Sequence, residues 1–235
     1  MNILKKVIFV ISIVALFVIS IGILVIGKGY DIYKEALEQV PLAEKIESIK
    51  QKENYTKIEE LPQIYINAII SVEDRRFYTH KGIDIIAIGR ALVNDIKTMS
   101  FAEGGSTITQ QLAKNMYFTQ EKKITRKIAE IFMAFEIESH YEKKEILELY
   151  INTMYFGDGY YTVKEACKGY FNKDIKEMTD YEWTMLAGIP NAPSVYAPTK
   201  NPNLAQKRQK QVLNRMVNNG FLTEGEAENI INKNE

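Results

Sequence analysis

The sequence predicts a mainly α-helical protein behind one membrane-spanning helix. Three features lead there. Val7 to Gly27 carries no charged residue, and at about 1.5 Å per residue a helix of that length measures roughly 31 Å, close to the roughly 30 Å apolar core of a bilayer. From Gln63 onward, apolar residues recur at three- and four-residue spacing in nearly every segment, the period of an amphipathic helix. No stretch alternates at period two for long enough to suggest a strand, and no repeat or low-complexity tract interrupts the pattern.

Taken in order, residues 1–6 read as a cytoplasmic N-terminus. Lys5 and Lys6 precede the apolar stretch, which favours that side for the N-terminus and the outer face for everything after Lys28. The stretch exceeds the roughly 7–15 apolar residues of a cleavable signal and ends in Ile23-Leu24-Val25-Ile26, without a small-x-small site, so a permanent anchor at 7–27 is expected. Residues 28–62 read as a juxtamembrane linker. Within it Tyr33, Ala36, Leu37, Val40 and Leu42 suggest a short amphipathic helix that stands the domain off the membrane, and Pro62 marks its end.

Residues 63–235 then form the working domain. Ile64, Ala68 and Ile69 lead into Glu73. Asp84 is a good N-cap for a helix over 85–96, with Ile85, Ile88, Ala91, Leu92 and Ile96 on one face. The loop 97–105 contains Met99 and Phe101, which either tuck beneath it or dip into lipid. Helices are expected over 107–117, from Thr125 to Ser139, and over 143–151, with a break at Gly157-Asp158-Gly159. Three more follow over 163–171, 180–189 and 203–218. Asp180 caps the second, Pro190 and Pro193 close it, and Gly220 ends the third.

Composition excludes several classes. The net charge of zero implies no strong pull toward nucleic acid. The one cysteine, Cys167, allows no intrachain disulfide and no cysteine metal site, and it reads as a small buried apolar residue rather than a catalytic thiol.

Chemistry concentrates in three clusters. Glu73-Asp74-Arg75-Arg76 stands directly after an apolar run. Gly104-Gly105-Ser106-Thr107-Ile108-Thr109-Gln110-Gln111 places neutral donors and acceptors at a helix start, where free backbone amides suit phosphate. It is not a Walker loop, because Gly-Lys-Ser/Thr is absent. Arg126 and Glu130 share a helix face at i,i+4, with Lys127 on its edge. Taken alone, that stripe is an ordinary solvated face. With Lys114, however, Arg126 and Lys127 can gather positive charge suited to a departing diphosphate.

Four segments in order carry a resemblance: Glu73-Asp74-x-x-Phe77-x-x-His80-x-Gly82; Gly105-Ser106-Thr107-Ile108-Thr109-Gln110-Gln111-Leu112-x-Lys114-Asn115; Arg126-Lys127-x-x-Glu130; and Lys144-x-Ile146-Leu147-Glu148-x-Tyr150-x-Asn152. Together they resemble the family 51 glycosyltransferases, the peptidoglycan glycosyltransferases that polymerise lipid II. The resemblance runs from about Ile64 to Gly220 and departs at Thr162, where many members have glycine. It implies a lysozyme-like lobe with a smaller membrane-associated jaw lobe, and it favours lipid contact for Met99 and Phe101. The sequence stops shortly after Gly220, with no room for the transpeptidase domain of bifunctional members, so a monofunctional member is expected.

By the same resemblance Glu73 is the general base and Glu130 the second glutamate, on the leaving-group side. Lys114, Arg126 and Lys127 neutralise the diphosphate. Ser106, Thr107, Gln110, Gln111 and Asn115 hold sugar or phosphate, or fix the cleft wall. Asp74 and His80 are expected in local structural roles, pairing with Arg75 or Arg90 and capping backbone groups. No cofactor is obligatory and no protein metal site is expected. A divalent cation, Mg²⁺ or Mn²⁺, is expected to stimulate through substrate phosphates. The expected partners are lipid II, the lipid-linked glycan chain, the membrane and cell-wall synthesis proteins. Two other classes compete. A hydrolase of finished glycan has no use for the cationic group, and an inactive scaffold would be marked by loss of Glu73 or Glu130.

Overall fold

A computed structural model describes residues 3–98, 105–119, 121 and 123–233. Among these residues there are α-helices and short 3₁₀ turns but no strand. Met99 and Phe101 lie outside the described residues.

The first helix, α1 (Ile3–Gln39), is unbroken. Its Val7–Gln39 portion is long and apolar enough to cross a membrane, and the most apolar window within it packs against nothing else in the chain. The structure differs here from the expected stand-off linker. Tyr33, Ala36 and Leu37 belong to α1 and pack on the core, while Leu42, Ile46 and Ile49 of α2 (Leu42–Lys50) are buried in it.

The domain proper starts with α3 (Gln63–Glu73), whose Tyr65, Ala68 and Ile69 are fully buried. α4 (Ile85–Thr98) begins where expected: Asp84 Oδ1 accepts from Ala87 N at 2.9 Å. Its apolar face is only partly covered, with Ala91 buried and Ile85 exposed. α5 (Ile108–Tyr117) starts in a reciprocal capping box. In it Thr107 Oγ1 accepts from Gln110 N at 3.1 Å, and Gln110 Oε1 accepts from Thr107 N at 3.0 Å.

α6 (Ile124–His140) lies between α1 and α5. α7 (Lys143–Ile151) packs on α5, and α8 (Val163–Phe171) follows the turn at Gly157, Asp158 and Gly159, all at positive φ. Thr162 takes an ordinary extended φ of −136° and caps α8, so a threonine is accommodated without strain. α9 (Asp180–Gly188) is capped by Thr179 rather than Asp180. The sequence Thr-x-x-Glu supplies a capping box there, and Asp180 becomes the first helical residue.

After the short α10 (Pro193–Tyr196), α11 (Pro202–Asn218) packs on α3 and α9. It ends at Gly220 (φ 76°), where Gly220 N donates to Val217 O and Phe221 N to Met216 O, the Schellman arrangement. α12 (Glu224–Asn232) closes the described chain with Ala227 and Ile230 buried. Cys167 is buried as expected, and burial pushes its thiol up to about 12.

Candidate active site

Glu73 is the last residue of α3, and its neighbour Asp74 ties that end to the start of α5. Asp74 Oδ2 pairs with His80 Nε2 at 2.8 Å and accepts from Ile108 N at 3.0 Å. Thr107 Oγ1 donates to Gly82 O at 2.6 Å, and Gly82 adopts a positive φ of 84° against the backbone of Ala134. These bonds place the Ser106–Lys114 segment beside Glu73. Asp74 and His80, expected to pair with Arg75 or Arg90, are paired with each other, and Asp74 also holds the start of α5.

A cleft of about 660 Å³ opens there. Glu73, Ser106, Thr107, Gln111 and Lys114 line it. One oxygen of Glu73 accepts from Gln111 Nε2 at 2.7 Å, and the other is buried with no hydrogen-bond partner. Burial raises the Glu73 carboxyl above its usual range, opposed by the Gln111 hydrogen bond and by the charges of Arg208, Arg215 and Lys114. A base that holds a proton more tightly than free glutamate, with one oxygen not yet hydrogen-bonded, can accept one from a hydroxyl.

Arg126, Lys127 and Glu130 sit behind Ser106 and do not line the cleft directly. Glu130 is almost fully buried, with Arg126 paired to one oxygen and Lys127 Nζ 2.9 Å from the other. Lys127 Nζ also donates to Ser106 Oγ at 2.7 Å, which connects the group to the cleft. Burial, reinforced by Arg126 and Lys114, pulls Lys127 down to about 8. Burial and Arg126 likewise lower Lys114, while Glu73 opposes this. Burial is the main cause of both shifts, and the neighbouring cations add to it.

Two residues expected to hold substrate or fix the cleft wall are not in the cleft lining. Gln110 is buried and spent on the cap of α5, and Asn115 is exposed outside the cleft lining. Gln111 is held by Tyr150, whose OH donates to Gln111 Oε1 at 3.1 Å, and it orients Glu73. The cleft lining also includes four arginines that the sequence does not mark as binding residues: Arg75, Arg90, Arg208 and Arg215. Arg208 had a legible signal. It stands in the buried stripe Ala205, Gln209, Val212 and Leu213 of α11, where a charge needs a reason. It lies over the Tyr196 ring at 5.6 Å. Among the described residues, no group of three His, Cys, Asp or Glu side chains is placed to hold a metal ion.

Comparison with known proteins agrees with the pattern of residues. The profile of the family described as Transglycosylase matches residues 40–217. Penicillin-binding protein 1A of Neisseria lactamica is 44% identical over 184 residues, which is 78% of this chain and 23% of that protein. Penicillin-binding protein 1A of Aquifex aeolicus is 43% identical over 183 residues, 78% of this chain and 25% of that protein. The chain thus spans about a quarter of the length of these curated relatives. Among solved structures, penicillin-binding protein 1A from Haemophilus influenzae aligns with a TM-score of 0.46 at 22% identity, covering 77% of this chain and 17% of that one. With three quarters of its length under one family profile, the chain belongs to the transglycosylase family.

Proposed function

We propose that the protein is a peptidoglycan glycosyltransferase that polymerises lipid II into β-1,4-linked glycan on the outer face of the cell membrane. The observation that carries this reading is Glu73: a cleft carboxylate of raised proton affinity, one oxygen fixed by Gln111 and the other buried without a hydrogen-bond partner.

In the reaction, the 4-hydroxyl oxygen of the acceptor lipid II attacks the anomeric carbon of the lipid-linked chain. Its proton passes to Glu73. The bond from the anomeric carbon to the diphosphate oxygen breaks, and its electron pair leaves with undecaprenyl diphosphate. Attack from the opposite face inverts the centre to β. Proton removal by a positioned base is worth about 10²–10⁴-fold.

Lys114, with Arg126 and Lys127 behind Ser106, stabilises charge on the departing diphosphate. Arg75, Arg90, Arg208 and Arg215 add cations to the same lining, suited in charge to the diphosphate of the second lipid. A divalent cation, Mg²⁺ or Mn²⁺, adds stimulation through substrate phosphates. α1 anchors the chain with its N-terminus cytoplasmic. A lining so rich in cations favours this reading over hydrolysis of neutral glycan.

The experiment is a gel of the products made by purified protein from lipid II, with and without moenomycin, a pyrophosphate-sugar mimic. Long glycan strands that vanish with moenomycin support the proposal. Soluble fragments released from purified cell wall, with no strands from lipid II, would overturn it in favour of a hydrolase.

A further inference from the structure

α1 is docked on the helix that carries the cationic group. Gly29 is buried against α6, and a Cβ there would lie 2.5 Å from Ile128 Cγ2 and 2.9 Å from Thr125 O. Only glycine permits that approach. Further along, the Tyr30 ring meets the Phe132 ring edge-on at 5.2 Å, and Tyr33 lies 5.9 Å from Phe132. Tyr33 OH donates to Glu136 Oε2 at 3.0 Å.

These pairs fix a direction. Residue 29 meets 125 and 128, residue 30 meets 132, and residue 33 meets 132 and 136. The two helices therefore run parallel, with the start of α6 toward the membrane. At about 1.5 Å per residue, Ile124 lies roughly 6 Å closer to the bilayer than Ile128. That is level with Val25 and Ile26, inside the uncharged stretch that ends at Gly27. Ile124 is 71% exposed. Arg126 and Lys127 fall level with Gly27 and Lys28, where the apolar stretch gives way to charge.

We infer that the first turn of α6 is a membrane-inserted edge of the domain, held at fixed depth by the docking of α1 through Gly29. Ile124 sits among the upper acyl chains, and Arg126 and Lys127 sit at headgroup height. The inference rests on the proposed membrane anchor and deepens the proposed function: a lipid diphosphate meets its cations without being lifted from the bilayer. Lys127 Nζ bonds Ser106 Oγ and Glu130 Oε2, so its side chain links that level to the group beside the cleft.

The test is a depth measurement that needs no substrate. The full chain carrying Ile124→Cys is labelled with an environment-sensitive fluorophore in vesicles of phosphatidylethanolamine and phosphatidylglycerol. The native Cys167 is buried and does not compete. A second chain carries the probe through His140→Cys at the far, exposed end of α6. Nitroxides on the upper acyl chain are expected to quench the first probe several-fold more than the second. Gly29→Leu should shift the depth of the first probe. Gly22→Leu, with open space around it, should not.

Where Gly29→Leu fails to give native Trp183 emission, Tyr33→Phe combined with Phe132→Leu loosens the same docking without overpacking and should shift the probe too. Equal quenching of both probes by aqueous iodide would overturn the inference, as would an unchanged depth in the folded docking variants. A chain that shows the expected depths yet makes no strands from lipid II supports the docking while contradicting the proposed function.

Discussion

Gln111 Nε2 donates to Glu73 Oε2 over 2.7 Å, and Gln111 is itself held by the hydroxyl of Tyr150, a fully buried residue of α7. The carboxylate is thereby fixed through two residues from two other helices. Gln111 stabilises the ionised form, while burial opposes it.

The first prediction concerns pH. Glu73 acts as a base only when ionised, so kcat/KM should rise as pH passes upward through its raised pKa. Gln111→Leu removes a hydrogen bond that lowers that pKa, so the acid limb should move to higher pH. Tyr150→Phe should move it the same way by less. A pH profile of kcat/KM on lipid II checks both. A limb left in place by Gln111→Leu would show that Gln111 does not tune the base.

The second concerns stability. Because the folded-state pKa of Glu73 is raised, its contribution is fully present below the unfolded pKa near about 4.3 and is lost as pH rises through the folded value. Glu73→Gln removes a partly buried charge at neutral pH. The variant should therefore melt at a higher temperature than the parent at about pH 8 and match it near about pH 4. Thermal denaturation at the two pH values decides.

The third concerns Lys127, pulled down to about 8. Activity should fall on the alkaline side as this lysine loses its proton. Lys127→Arg, which stays charged up to about pH 12, should push that limb upward even if the maximal rate drops. An alkaline limb unaffected by the change would remove Lys127 from the diphosphate site.

The fourth concerns Glu130, which faces two cations from a nearly solvent-free position. Glu130→Ala leaves both without their partner. For fully buried pairs the loss is about 3–5 kcal/mol. Arg126 and Lys127 retain some exposure, so about 2–3 kcal/mol is expected, read by urea unfolding followed at Trp183.

Much of the fold could be read from local signals. Asp84 before α4, Thr107 before α5 and Gly220 after α11 each satisfy or release particular backbone groups, and those groups depend on neighbours within a few residues. The continuity of α1 could not be read this way. Gly27, Lys28 and Gly29 look like the end of a span, yet Gly29 is glycine because Ile128, ninety-nine positions away, leaves no room for a side chain. The site divides along the same line. Glu73, Lys114, Arg126, Lys127 and Glu130 carry charge in recognisable order, and the structure brings them to one cleft and the group behind it. Gln110 reads from the sequence as holding substrate or fixing the cleft wall, whereas the Thr-x-x-Gln spacing makes it the reciprocal cap of α5. Arg215 was missed because a single cation near a helix end has no distinguishing local pattern.

The central claim is that Glu73 takes the proton from the attacking hydroxyl. The most direct measurement is the initial rate of lipid II polymerisation by folded Glu73→Gln, its fold verified by Trp183 emission. The account predicts a loss of about 10²–10⁴-fold in kcat with little change in lipid II binding. Turnover within a few-fold of the parent protein would contradict it.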